Sequence, residues 1–418
     1  MEQLKALEPQ LIGRVFRASE PADIRASMCR LRRMPRLVRK VVRPLWRLWI
    51  HLSYWPLRAK TKVLLVSFVF SVTLLILAHA GGVLGPPAGP DRRWALDYVF
   101  SDNADLGGVS LSLLQDPAGL IVLAVVFITP VFCCQQVLAI SDFVQMNERN
   151  AADVERTEDE IRQLNDLVRK TNWWFRVLGG REVSAAIAVA MGIGTAALYG
   201  FVNAHGLMET WNPTSLPDQV WRSEVYAGWW ANWHAHRELA VALCLAGTYA
   251  FYFLAKQLVM GVVFTAYLHR SEALDFGVTP NMRFDSDGYQ GLRPLRQFML
   301  WTYGSALAHL IGLLVLFTVW LPAEPWMVFI VLGVMLVDML VIVYPSSIGY
   351  HSALTVKQDH VKSLYEMNLP SEECDAAIAR VWADPVLPVT TRKAMTGIIL
   401  YLLVPAVPAL IPVLFQKL

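Results

Sequence analysis

His309 and Asp338 are the residues of this chain whose types and spacing could do chemistry away from water. Each lies within a long apolar stretch, Phe298–Leu321 and Trp326–Tyr344, and only Pro322, Ala323, Glu324 and Pro325 separate the two. So short a link makes the stretches an antiparallel hairpin. His309 stands 14 residues before Ala323 and Asp338 stands 15 after it. At 1.5 Å per helical residue both fall ~20 Å from the turn, near the middle of a hydrocarbon core ~30 Å thick. An imidazole and a carboxylate at matched depth can pass a proton or hold an ion. They can equally clamp the hairpin as a structural pair. Ionisable groups at such depth are costly and tend to mark ion or proton pathways.

Further polar residues lie in other apolar stretches. Lys256 and Gln257 sit in Leu239–Tyr267, and Gln135 and Gln136 in Pro117–Ile140, at a depth nearer the face expected to be cytoplasmic. Lys256 can alternatively snorkel to headgroups along its own methylenes. Pro130 interrupts the second stretch, while Pro405, Pro408 and Pro412 crowd the last one. Each removes a backbone donor, and the freed carbonyls need partners within the protein or from water, so broken helix at mid-depth can line a path. Gly192, Gly194 and the nearby alanines read as close helix packing.

Seven apolar stretches must position these groups: Val63–His79, Pro117–Ile140, Val183–Val202, Leu239–Tyr267, Phe298–Leu321, Trp326–Tyr344 and Met395–Phe415. Each approaches the ~20 residues that a helical crossing requires. The expected class is an all-α integral membrane protein with seven transmembrane helices occupying 62–415. Of its 37 Lys and Arg residues, 31 fall on the side of the N-terminus and five on the other, with Lys256 in between. The positive-inside rule therefore predicts a cytoplasmic N-terminus and an outside C-terminus. The composition agrees, with 55% hydrophobic and 17% charged residues in 418.

Residues 1–61 form a basic cytoplasmic region. From about Pro35 to Trp49, Arg36, Arg39, Lys40, Arg43 and Arg47 recur at helical spacing opposite Leu37, Val41, Leu45 and Leu48. That pattern predicts an interfacial amphipathic helix on anionic headgroups. Nucleic acid is the rival partner for such a patch, and the adjoining first span favours lipid. Residues 141–176 and 346–394 are expected to be cytoplasmic helical segments that could meet a protein partner. In the first, Val154, Thr157, Ile161, Leu164 and Val168 form an apolar seam, in a helix that could continue the second span. The second divides into a helix extending through about Met367 and another from Ser371 to just before Asp384-Pro385. The expected external loop 81–116 reads as irregular. Loop 204–238 carries Trp211, Trp221, Trp229, Trp230 and Trp233, read as an interfacial aromatic belt or as a binding surface.

No Walker A, H-E-x-x-H or G-x-S-x-G sequence occurs, which removes the usual signals of an ATPase, a zinc protease and a serine hydrolase. Of nine histidines only His309 is deep within a stretch, so bis-histidine haem ligation is disfavoured. His234, His236 and Glu238 read as an interfacial polar cluster in preference to a metal site. Asp285, Asp287 and Gly288 lack the remaining ligands of a calcium loop. Cys133 and Cys134 read as small buried hydrophobes, not as a soft metal site. No cofactor or metal is expected.

Pro280-Asn281 followed by Asp287-Gly288-Tyr289-Gln290-Gly291-Leu292 resembles the P-D-x-x-G-G-L-type turn of uncharacterised bacterial multi-pass proteins, with the glycine pair split. The likeness covers less than a tenth of the chain and implies no activity. In topology alone, seven spans with a cytoplasmic N-terminus look like insect odorant and gustatory receptor channels. The resulting expectation is an ion or small-solute channel of the bacterial inner membrane, assembled as a homo-oligomer. A membrane-anchored sensor or interaction partner is the alternative, and a lipid-modifying enzyme a weaker one.

Overall fold

A computed structural model describes residues 55–85, 93–94, 108–151, 156–208, 212, 217–274, 292–316, 320–321, 325–367 and 370–383. The order of elements is α1 (Trp55–Ala80), β1 (Arg93–Trp94), β2 (Val109–Ser110), α2 (Pro117–Ala151), α3 (Glu158–Gly179), α4 (Arg181–His205), α5 (Asp218–Ala227), α6 (Arg237–Glu272), α7 (Arg293–Val315), α8 (Pro325–Glu366) and α9 (Ser371–Ala383).

Among the described residues, six helices are long and apolar enough to cross a bilayer, over Val63–Ala80, Pro117–Val144, Glu182–His205, Arg237–Glu272, Arg293–Val315 and Leu332–Glu366. They match the first six expected spans and make the chain a multi-pass α-helical membrane protein. The expected seventh span, with Pro405, Pro408 and Pro412, lies outside the described residues, as do the basic helix bearing Arg36, Arg39, Lys40, Arg43 and Arg47 and the glycine turn at 280–291.

Helices α2 and α6 form the centre. The first packs on α1, α6 and α7, and the second on α1, α3, α4 and α8. One apolar cluster joins Leu74, Val126, Leu243 and Ala246 to Trp221, Trp229 and Trp230, and a second joins Phe143, Phe175, Phe264, Phe298 and Val341. Pro130 is buried inside α2, which runs on past it for 35 residues in all. Close helix approach uses small residues: Gly192 of α4 faces Thr248, and a Cβ on Gly247 of α6 would stand 2.9 Å from Thr195. Gly194 faces open space instead.

The segments beside the spans are more ordered by contact than their composition suggests. Helix α3 does not continue α2; it starts afresh at Glu158 behind a capping box, in which Thr157 N–H donates to Glu160 at 2.9 Å and Glu160 N–H donates to Thr157 Oγ1 at 3.4 Å. Of the expected seam, Thr157 is the cap, Val154 lies outside the described residues, Ile161 is half-buried and Leu164 and Val168 are buried; Val168, with Leu167 and Phe175, meets Phe264, Tyr267 and Leu268 of α6. Helix α8 is a single helix of 42 residues carrying Pro345, ~63 Å long. Helix α9 folds back on it, held by Lys357 Nζ donating to the Val381 carbonyl at 2.7 Å and facing the Trp382 ring. The boundaries expected near Met367 and at Ser371 agree within a residue with those observed.

Part of the loop expected to be irregular pairs β1 with β2 in parallel, and Leu111 bridges to Trp229. Gly228 is required there, because a Cβ on it would lie 1.9 Å from the Val109 carbonyl oxygen. The loop tryptophans depart from both readings offered for them. Trp221, Trp229 and Trp230 are fully buried, and of the described ones in this loop only Trp233 reaches the surface. Their indole N–H groups explain the difference, since each has an acceptor inside the protein.

Candidate functional site

Four helices bring six polar side chains to one place inside the bundle. Gln136 comes from α2, Gln257 from α6, Thr302, Ser305 and His309 from α7, and Asp338 from α8; all six are buried. Thr302, Ser305 and His309 share a face of α7 because three- and four-residue steps return to the same side of a helix. Together with Leu258 and Val341 the six line a cavity of about 10 Å³, measured as space open to the centre of a water molecule.

The hydrogen bonds run through His309. Ser305 Oγ donates to Gln257 Oε1 at 2.7 Å, so its hydroxyl proton is committed and its oxygen accepts from His309 Nδ1, 3.3 Å away. Nε2 is then the ring's acceptor and faces Thr129 Oγ1 at 3.2 Å. The result is a directed chain, Thr129 to His309 to Ser305 to Gln257. A second chain passes from Gln136 Nε2 to Thr302 Oγ1 at 3.0 Å and on to the Phe298 carbonyl at 2.8 Å. Gln136 Oε1 is buried with no hydrogen-bond partner, and Gln136 lines the cavity. A space of this size holds about one water.

The matched depth expected of His309 and Asp338 therefore brings both to the same cavity wall. Gln136 joins them, with Gln257, Thr302 and Ser305 beside it. Gln135 is half-buried and outside the lining. Lys256 goes elsewhere. Its side chain is 1% exposed, and its Nζ donates to the Leu178 carbonyl, at the last turn of α3, and to Ser184 Oγ at 2.8 Å in α4. The Tyr252 ring lies 5.8 Å from it. The ammonium is thus satisfied at the α3–α4 corner, where the carbonyl end of α3 favours a cation.

A second polar centre was not singled out in the sequence. Asp116, immediately before α2, accepts from three indoles on one oxygen: Trp229 Nε1 at 3.1 Å, Trp230 Nε1 at 2.8 Å and Trp320 Nε1 at 2.9 Å. Its other oxygen accepts Ala118 N–H at 3.0 Å, capping the helix. Burial pushes the Asp116 carboxyl above its usual range, and the three indole N–H groups oppose that shift. The sequence signal was an Asp directly before Pro117 at the start of a helix; its three tryptophan partners lie far along the chain, two in the loop before α6 and the third at the end of the stretch that contains α7.

No protein-family model, curated protein or solved structure matches this chain. Its class therefore rests on its own geometry, that of a multi-pass helical membrane protein with a polar seam at the centre of the bundle.

Proposed function

We propose that the protein is an ion-permeation protein, and that the seam of Gln136, Gln257, Thr302, Ser305, His309 and Asp338 is the narrowest part of its path. One observation carries this reading: six polar side chains from four helices converge on a water-sized cavity that keeps a buried acceptor, Gln136 Oε1, unpartnered. Buried polar groups that serve packing alone are normally satisfied, whereas polar groups in a membrane interior commonly line ion or proton routes. With room for a single water, the seam suits protons better than cations, which need several oxygen ligands or waters around them. His309 can receive a proton at Nε2 and release the one at Nδ1 toward Ser305; the bonded chain ends at the Gln257 amide, which passes no proton on, so onward transfer would go through a water in the cavity that Asp338 also lines.

The test is proton flux in liposomes holding the purified full chain, under an imposed pH gradient and voltage. Wild type should conduct, and His309→Ala and Asp338→Asn should each reduce the flux at least about tenfold. A wild type indistinguishable from empty liposomes would end the permeation reading. Membrane sensing is the second reading, and Lys256 favours it: one buried side chain ties α6 to the α3–α4 corner, a contact able to report helix movement to α3. Assembly as a homo-oligomer fits α4, whose outward face exposes Val189 and Ile193.

A further inference from the structure

Beside the polar seam lies a second, larger cavity of entirely different chemistry. It measures about 120 Å³ on the same water-centre scale, and nearly all of its lining surface is carbon. Helices α2 and α6 form its floor, and α4 and α7 its sides. One end is closed by Trp229 and Trp320 beside Ala118, the other by Thr129 and His309. Lining residues on all four helices, among them Ile121, Thr195, Phe251 and Gly312, are half-buried, so the cavity is not sealed, and we take its opening to be the side where, among the described residues, no helix pair is in close contact. That side lies between α4, which packs on α6, and α7, which packs on α2.

We infer that this cleft is a binding site for one acyl chain of a bilayer phospholipid, inserted sideways between α4 and α7 with its end against Thr129 and His309. The length fits. Ala118 and Thr129 lie eleven residues apart on α2, ~16 Å, which is about half the ~30 Å hydrocarbon core and so the depth of one leaflet's chains. The width fits as well. Spread over that length, the volume leaves a channel only roughly 7 Å² wide for a water's centre, room for a single hydrocarbon chain and far too narrow for a helix 10–12 Å across. The chemistry leaves little choice, because a dry carbon-lined space rejects water and polar ligands. The Trp229 and Trp320 end lies beside Ala118, at the first turn of the α2 span.

The probe is a phosphatidylcholine with a diazirine at the tip of one acyl chain, in liposomes containing the full chain. Irradiation followed by peptide mass spectrometry should find labels concentrated around Thr129 on α2 and Gly312 on α7. Gly312→Leu fills the cleft from one wall; a Cβ there already meets Val125 and Ile121 at 3.6 and 3.8 Å, ordinary contact distances. Leu254→Trp fills it from another. Each should cut cleft labelling by at least about fivefold, since a displaced chain loses its contacts. Labels on the outward residues Leu65 and Phe68 of α1 should be unchanged and report correct insertion. If one variant fails that control, the other decides. Cleft labelling no stronger than on α1, or undiminished in a correctly inserted variant, overturns the inference. So does an unlabelled cleft that instead binds benzene saturably, which would assign it to a small apolar molecule. The labels are read without ion flux, so the lipid site and the permeation reading fail separately.

Discussion

The Asp116 cluster and the His309 seam are both buried polar centres, yet they are built to opposite rules. At Asp116 one carboxylate collects three indole N–H groups and a backbone N–H, and the indoles come from two segments far apart in the chain. At His309 the donors and acceptors are spread over four helices and enclose a gap with an unused acceptor. Saturation locks a structure, because every rearrangement strands a buried group. A gap leaves several hydrogen-bond patterns of similar energy. The first arrangement suits a tie, and the second suits a site whose protons move.

That contrast can be broken most directly at Asp116. An amide has one acceptor oxygen, so Asp116→Asn strands either the indole N–H groups or the helix cap. Thermal unfolding of the purified protein should show a loss of at least about 3 kcal/mol, with a shifted tryptophan emission. A neutral result would mean that the cluster is not a tie. Lys256→Met sharpens the comparison from a third site, saturated like the first. It strands the Leu178 carbonyl and should cost about 2 kcal/mol, with faster hydrogen exchange in the last turn of α3.

At the seam the expectation reverses. His309→Gln, which keeps one donor and one acceptor at similar reach, should change unfolding by no more than about 1 kcal/mol while proton flux collapses. A large stability loss with unchanged flux would make the seam a second tie. The smallest effect belongs to the exposed cap of α3, where Thr157→Ala should cost about 1 kcal/mol locally, seen as fraying of Glu158–Ile161 in hydrogen exchange. Hydrogen bonds from Thr157 hold the Glu160 carboxyl below its ordinary value of 4.5. The folded form therefore binds the proton more weakly than the unfolded one. The contribution of the cap is present at neutral pH and is lost as pH falls below 4.5 through the lowered value.

Depth along a helix was legible in the sequence, and rotation was not. Counting from the Pro322–Pro325 turn placed His309 and Asp338 at one level, and both now line one cavity. The same counting put Lys256 near Gln136 in depth, but its side chain points to the α3–α4 corner, a direction set by packing on α6. The faces of α7 could be read from the steps between Thr302, Ser305 and His309. Asp116 could be read as a helix cap and no further, because partners at separations of 113, 114 and 204 residues leave no local pattern. The loop tryptophans misled for the same reason. An indole at a membrane edge and one that bonds a buried carboxylate look alike in composition.

The unbroken run of α8 gives the molecule a mechanical property as well as a shape. Asp338 sits on the seam and Glu366 at the far end of the same helix, 28 residues away, ~42 Å along the axis. Were α8 to pivot at Asp338 as a stiff rod, a 10° tilt would carry Glu366 about 7 Å sideways. It would carry α9 with it, through the bond from Lys357 to the Val381 carbonyl. Displacements too small to notice at the seam would thus emerge at α9 with the amplitude of a lever arm.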